Sequence, residues 1–266
     1  MDFIDAERAS LALRARFPGI SVRAVEETGS TNTDLLEAFS KGLASAPCVL
    51  AARVQTKGRG TRGRAWRGGR ESLLFSIGLP SPEPRFLSPV PLIAGFAAAE
   101  ALARAGCPVA VKWPNDLWLP GGKLAGILCE TVKTPSGHAA VIGMGLNLEL
   151  EPPEERQAAA YPAAALADAG PLGEVREART RWLAELSAAI LSGVLDYFES
   201  KRMPDWSRWS RLDFLKGKRI SADNGAGLVL RGTAAGIGRD GALLLDDGGA
   251  SPRRIISASI RVESQS

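Results

Sequence analysis

Between Arg53 and Arg70 stand seven basic residues, Arg53, Lys57, Arg59, Arg62, Arg64, Arg67 and Arg70, with no acid among them. Inside this run, Gln55-Thr56-Lys57-Gly58-Arg59-Gly60-Thr61-Arg62-Gly63-Arg64-Ala65-Trp66 interleaves glycine with arginine. Glycine lets backbone N–H groups come close to a ligand, and guanidinium groups are planar donors that match phosphate or carboxylate. The formal net charge is +4, so the chain outside this stretch is net acidic. A non-specific nucleic-acid coat is basic all over. Here there is one concentrated anion-attracting segment, suited to a phosphate-bearing small molecule at least as well as to a nucleic acid. A solvated basic turn and an RGG-like RNA-binding loop are the competing readings. Base stacking asks for aromatics among the arginines, and only Trp66 is present.

Three other stretches carry candidate chemistry. Lys112-Trp113-Pro114-Asn115-Asp116 is followed by Gly122-Lys123-Leu124-Ala125-Gly126-Ile127-Leu128. An ammonium at a strand edge can steady a phosphate charge. Asn115 offers amide recognition and Asp116 a hard oxygen for Mg2+, although Pro-Asn-Asp is also good turn chemistry by itself. In Glu27-Thr28-Gly29-Ser30-Thr31-Asn32-Thr33-Asp34, Ser30 or Thr31 is expected to cap a helix, and Thr31-x-x-Asp34 approximates a capping box. The same hydroxyls and free N–H groups can grip a polar head group, and the two readings are compatible. Finally, Ile142-Gly143-Met144-Gly145-Leu146-Asn147-Leu148 ends a strand with glycines that admit a planar ring or another backbone. The third glycine and following helix of a dinucleotide fold are missing.

Much chemistry is disfavoured. His138 is the single histidine and sits in an apparent hairpin turn, Thr134-Pro135-Ser136-Gly137-His138, a poor place for a catalytic triad. Cys48, Cys107 and Cys129 are widely spaced, with no CxxC, so neither a zinc site nor a disulfide framework is expected, and a reducing cytoplasm is the natural compartment. The uncharged run Phe86 to Ala99 is too short to span a bilayer and contains Pro89 and Pro91. The first residues carry acids and no apolar core, so no secretory signal is expected.

The elements that must position these residues follow from pattern. The chain of 266 residues, 45% hydrophobic and 23% charged, has the composition of one or two folded domains. Residues 4–17 read as a short amphipathic helix stopped by Pro18-Gly19, Ser21–Glu26 as a strand, Thr33–Lys41 as a helix, and Cys48–Val54 as a buried strand. Residues 55–70 are too rich in glycine and arginine for a regular element. Ser72–Leu79 is a strand, Pro91 opens and Gly106 closes an apolar helix, and Val109–Lys112 and Asp116–Leu119 are short strands. Lys123–Lys133 and His138–Leu148 form a hairpin. Residues 149–172 look loose, and a long helix spans about 174–201. After Leu212, short alternating runs with turn signals at Asn224-Gly225, Asp240-Gly241 and Gly248-Gly249 predict a small five-stranded barrel. The expected architecture is a mixed α+β domain, residues 1–212, and an all-β domain, residues 213–266.

Taken in order, GSTN, QTxGRGxRGRxW, KWPND, GGKLAGILxE and IGxGxN resemble the biotin–protein ligases over about residues 20–262. The resemblance implies a catalytic core related to class II aminoacyl-tRNA synthetases and an SH3-like C-terminal cap. It implies that biotin and ATP, with Mg2+, give biotinyl-5′-AMP, and that a lysine of a biotin carboxyl carrier domain takes the acyl group. By the same token Ser30, Thr31, Asn32, Gln55, Gly58, Arg59, Gly60, Thr61, Lys123 and Gly126 are expected at biotin. Arg59, Arg62, Arg64, Trp66, Asn115, Lys123 and Asn147 are expected at ATP. Lys123, Arg59 and Asp116 are the expected catalytic groups, with Asp116 facing Mg2+, and residues 149–162 match a loop that orders over adenine.

Thr61 is a departure, because many members have arginine there; Arg62 is the neighbouring group that could compensate. Only one helix fits before Ser21, whereas a DNA-binding helix-turn-helix needs two, so a monofunctional ligase without operator binding is expected. Family members often self-associate through sheet edges, which leaves a homodimer open. A lipoate or octanoate ligase or transferase of the same fold is the alternative enzyme, but gives no reason for KWPND.

Overall fold

The computed structural model describes residues 3–152, 161–225 and 227–263. Its centre is a seven-stranded mixed sheet. In chain order the strands are β1 (Ser21–Thr28), β2 (Cys48–Gln55), β3 (Glu71–Ser81), β4 (Ala110–Lys112), β5 (Asp116–Leu119), β6 (Gly122–Thr134) and β7 (Gly137–Glu149). Across the sheet they lie β1-β2-β3-β7-β6-β5-β4, with β1 and β2 parallel and every other neighbour antiparallel. The expected hairpin is β6–β7, two residues longer at its turn than expected, because Thr134 pairs with Gly137.

Alternation along the strands decides which face does what. Leu73, Phe75, Ile77 and Leu79 of β3 and Ile142, Met144, Leu146 and Leu148 of β7 point to one face. Three helices cover it: α1 (Ala6–Arg14), α3 (Val90–Arg104) and α4 (Val175–Ser200). The intervening residues turn the other way. There Leu50, Ala139 and Val141 meet Leu35 and Phe39 of α2 (Thr31–Ser40), which covers only part of that face. Gly78 is required beneath α2, since a Cβ there would meet the ring of Phe39. The rest of this face holds Ser76, Gly126, Leu128, Glu130, Gly143 and Gly145, and is the floor of the site described below.

Five strands follow the 3-10 segment Trp206–Leu212: β8 (Arg219–Asp223), β9 (Val229–Ile237), β10 (Leu243–Asp246), β11 (Arg253–Ile255) and β12 (Ser259–Val262). They make an antiparallel sheet in the order β11-β10-β9-β8-β12. Its β9–β10 turn docks on the first sheet: the Trp113 indole N–H donates to the Gly241 carbonyl at 3.0 Å, and that of Trp206 to the Arg239 carbonyl at 3.2 Å. One hydrophobic cluster runs through both sheets.

Among the described residues, no helix is long and apolar enough to cross a membrane. Among the described residues a single helix, α1, precedes β1. The 55–70 stretch is more ordered than its composition predicts. Arg59 and Ala65 form an antiparallel bridge, and Thr61–Gly63 makes a 3-10 turn with Arg62 at φ 59°. The stretch is therefore a miniature hairpin, and we refer to it as the flap.

Candidate active site

The N-terminus of α2 supplies one end of the site. The helix begins at Thr31 rather than Thr33, placing Thr31 and Asn32 in its first turn. The expected capping box does not form. Ser30 occupies the cap position without a side-chain cap bond, and Asp34 instead accepts a bond from the Thr28 hydroxyl at 2.5 Å. The Thr31 N–H donates to Oε1 of Gln55 at 2.7 Å, so a β2 side chain from 24 residues on does the work of the cap.

A directed hydrogen-bond chain follows. The Asn32 amide nitrogen donates to Oε2 of Glu130 at 2.8 Å and to the Leu128 carbonyl at 3.3 Å. Both partners are acceptors, which fixes the amide's orientation and turns Oδ1 toward Ser76. The Ser76 hydroxyl donates to that oxygen at 2.6 Å. Its single proton is thereby used, so in the 2.7 Å pair of Thr31 and Ser76 the proton comes from the Thr31 hydroxyl, which also lies 3.1 Å from the second acceptor, Oε1 of Gln55. Thr31 Oγ1 is left with acceptor lone pairs, and a ligand N–H is the complementary group. Ser30, Thr31, Asn32 and Ser76 are all buried.

The floor is built by glycine. Gly143 pairs with Ser76 and Leu128, and Gly145 pairs with Leu74 and Gly126. A Cβ at Gly143 would meet the Asn32 amide; at Gly145 it would come within 2.7 Å of the Trp66 ring, and at Gly126 within 2.9 Å. The ring that the Gly-x-Gly run was expected to admit is thus the chain's own Trp66, at the end of the flap.

At the other end, Lys123 and Asp116 form an ion pair of 2.7 Å, both largely buried. Lys123 Nζ lies 5.4 Å from the centre of a Trp66 ring. The backbone of Lys123 is clamped by residues 162–164: its N–H donates to the Pro162 carbonyl at 2.8 Å, and its carbonyl accepts from the Ala164 N–H at 2.9 Å. Asn147 acts behind the floor, where its amide nitrogen bonds the carbonyls of Ala164 and Lys123 and its oxygen accepts from the Gly69 N–H. Asn115 donates to the Ile127 carbonyl at 2.8 Å, which ties the Trp113-Pro114-Asn115 turn to β6.

One cavity of about 120 Å³ joins the two ends and is lined by Ser30, Thr31, Asn32, Gln55, Arg59, Gly60, Thr61, Arg64, Trp66, Asn115, Lys123 and Gly126 of the expected set. Gly58, Arg62, Asp116 and Asn147 are not on that lining. Gly58 sits at the base of the flap, where its carbonyl accepts from the Trp66 N–H. Arg62 points away: its guanidinium bonds the hydroxyls of Ser259 and, at 3.3 Å, Ser257, so it does not stand in for the arginine missing at position 61. Arg64 is nearer that task, since its guanidinium is steered by the Thr61 hydroxyl at 3.0 Å and carbonyl at 3.2 Å. Arg62 and Asp116 line an adjoining recess of about 200 Å³ with Arg64, Lys112, Tyr161 and Ser257–Ile260. Lys112 is buried, with Nζ 4.2 Å from the Tyr161 ring and 4.6 Å from that of Trp118, and burial pushes it down to about 8.

Arg59 is the other surprise. Its guanidinium is paired with Glu130, beside Asn32, rather than turned toward Lys123. Ser76 and Glu130 are site residues that the sequence reading did not assign. Ser76 was detectable as a lone hydroxyl in the apolar run Leu73–Ile77, and Glu130 as the residue two and four places on from Leu128 and Gly126 along one strand face. No group of three or more His, Cys, Asp or Glu residues suited to a metal exists among the described residues. With Asp116 engaged by Lys123, the donor set does not amount to a resident metal centre. Most of the loop expected to order over adenine, residues 153–160, lies outside the described residues.

Comparison with known proteins shows the family. Residues 24–147 match the family model for the biotin/lipoate A/B protein ligase family. The bifunctional ligase/repressor BirA of Escherichia coli is 34% identical over 236 residues, covering 87% of this chain and 71% of that protein. A biotin–[acetyl-CoA-carboxylase] ligase of Mycobacterium tuberculosis is 33% identical over 85% of this chain and 83% of its own. In structure, the biotin protein ligase of Aquifex aeolicus in complex with biotin and ATP superposes with a TM-score of 0.75 at 25% identity, covering 91% and 99% of the two chains. On these relatives and this family model, the chain belongs to the biotin–protein ligases of the biotin/lipoate A/B protein ligase family.

Proposed function

We propose that this chain activates biotin with MgATP to biotinyl-5′-AMP and pyrophosphate, then passes the biotinyl group to a lysine of a biotin carboxyl carrier domain. The observation that carries this reading is the single cavity whose two ends differ in chemistry. One end is a buried hydroxyl-amide chain with a free acceptor on Thr31, suited to the N–H of a ureido ring. The other has Lys123, Arg64 and Trp66, suited to a carboxylate meeting a phosphate. A lipoyl or octanoyl tail would set apolar carbon against Thr31, Asn32 and Ser76 without satisfying them, a poor exchange for buried polar groups.

In the first step the biotin carboxylate attacks the α-phosphorus and pyrophosphate leaves. Two anions must meet, and Lys123 is the group placed to offset their repulsion and the charge that builds at phosphorus. Asp116 holds the Lys123 ammonium in place. Mg2+ enters as part of the nucleotide, since it typically takes one or two carboxylates besides phosphates and water. Trp66, lying over Gly126 and Gly145, covers the floor and helps to exclude water from the mixed anhydride. In the second step the carrier lysine attacks the biotinyl carbonyl, forming an amide and releasing AMP.

We read residues 1–212 as the catalytic domain, resembling the class II synthetase core, and residues 213–266 as an SH3-like cap that reaches the flap through Arg62. Incubation with biotin, MgATP and a biotin carboxyl carrier domain, followed by intact-mass measurement, tests the whole reading. A carrier heavier by one biotinyl group is expected; an unmodified carrier refutes it.

A further inference from the structure

Ser76 sits in the middle of β3 beneath the first turn of α2. It is fully buried and does not line the cavity, whereas Thr31, its neighbour, does. Burial this complete leaves the protein's own groups to set the direction of each hydrogen bond. That direction starts at a backbone atom. The Leu128 carbonyl can only accept, so the Asn32 amide nitrogen faces it at 3.3 Å and Oδ1 faces the Ser76 hydroxyl at 2.6 Å. Reversing the amide would set its oxygen against both that carbonyl and the Glu130 carboxylate. Ser76 therefore gives its proton to Asn32 and has only lone pairs for the Thr31 hydroxyl, 2.7 Å away. The other neighbour of that hydroxyl, Oε1 of Gln55 at 3.1 Å, is also an acceptor, and it already takes the Thr31 N–H. Both routes open to the Thr31 proton lead back into the protein.

We propose that Ser76 is a specificity-determining positioning residue: by holding the Thr31 proton it makes Thr31 Oγ1 a pure acceptor toward the cavity, so the site takes a ring with an N–H at that point and rejects the same ring with an oxygen there. Two acceptors set face to face would leave both unsatisfied in a buried place, and a site built to bond a ligand N–H discriminates strongly against an analogue that lacks it. The head group selected is a cyclic urea over a cyclic carbamate. Ser76 reaches the ligand only through Thr31. The proposal rests on the biotin-ligase reading for the identity of that ligand.

The test uses the full chain and three probes: biotin and the two cyclic carbamates in which one or the other ureido N–H is replaced by a ring oxygen. Kd is measured by calorimetry. The carbamate that sets its oxygen opposite Thr31 is expected to bind the wild type about 100-fold more weakly than biotin. In Ser76→Ala the Thr31 hydroxyl keeps only the longer bond to Gln55 and can turn its proton to the ring oxygen, so that ratio is expected to fall to about tenfold. A merely structural role would weaken both ligands together and leave the ratio where it was. Thr31→Val should also bring the ratio to about tenfold or less, and adding Ser76→Ala to it should change the ratio no further, because Ser76 acts through Thr31. Both carbamates binding the wild type as biotin does, an unchanged ratio in Ser76→Ala, or a further fall in the double variant each overturns the proposal. Should Ser76→Ala fail to fold, Ser76→Cys keeps the shape with a weaker donor and acceptor; it should lower the ratio in the same direction, and a wild-type ratio in it overturns the proposal. A wild-type chain that binds neither biotin nor the carbamates refutes the ligase reading and this proposal together, whereas one that binds biotin with a ratio indifferent to Ser76 refutes this proposal alone.

Discussion

Replacing Gly145 by alanine puts one methyl group beneath the Trp66 indole. The added carbon would lie within 2.7 Å of Cζ2 and closer still to Cε2 and Nε1. Ordinary contact between carbon atoms is about 3.5–4.0 Å, so the ring must move by roughly an ångström or leave. Strand β7 cannot give way, being paired on both sides by β3 and β6. The flap is the softer partner, and the indole should lift. Overpacking of this kind costs about 1–3 kcal/mol. Urea unfolding is expected to register a loss at the lower end of that range, because the flap gives way rather than the sheet. Function should suffer more. Lys123 loses the ring 5.4 Å from its ammonium, and the floor of the cavity is uncovered, so pyrophosphate exchange with biotin and ATP should fall at least about tenfold. Trp66→Leu should reduce exchange as well, and Gly145→Ala added to Trp66→Leu should cost little more, since the clash partner is gone. A double-mutant cycle in which the two changes add independently would refute the platform.

Three other expectations rest on the same geometry. Lys123→Gln should lower the rate of adenylate formation about 100- to 1000-fold, the usual loss when one preorganised electrostatic donor is removed; single-turnover rates near wild type would remove its role. Thr61→Arg should slow release of biotinyl-5′-AMP by about tenfold, one charge-assisted hydrogen bond, since Arg62 is committed to Ser257 and Ser259; equal release rates would refute this. Lys112 gives a pH signature: its folded-state value is depressed to about 8 by burial, so between there and its ordinary value the unfolded chain binds more protons and stability from this group rises with pH. The buried thiols of Cys48 and Cys129, pushed up to about 11 and about 12, act oppositely above pH 9. The difference in unfolding free energy between wild type and Lys112→Met, measured at pH 7.5 and 9.5, isolates the lysine and should shift in favour of the wild type at the higher pH.

The sequence by itself settled the chemistry of the parts. The arginine-glycine run pointed to an anion-handling segment, because backbone approach and planar donors suit those residue types, and together with KWPND and GGKLAG it carried the resemblance to the family. Strand and helix periods were also legible: the limits of β5 were read directly, and those of β6, β7 and α4 to within one residue. What was not legible depended on contacts between distant segments. A capping box was the local reading of Thr31-x-x-Asp34, but Gln55 and Thr28 outcompete it once β1 and β2 lie beside α2. The composition of residues 55–70 suggested no regular element, and only the folded chain shows that Glu130, Gly29 and the C-terminal sheet are that segment's partners. Arginines in one run all look alike in sequence; folding sends Arg59 to Glu130, Arg62 to Ser259 and Arg64 to the cavity. The physical reason is that residue type fixes what a group can bind, whereas which partner it meets depends on strand register and face, and these are decided only when the sheet is assembled.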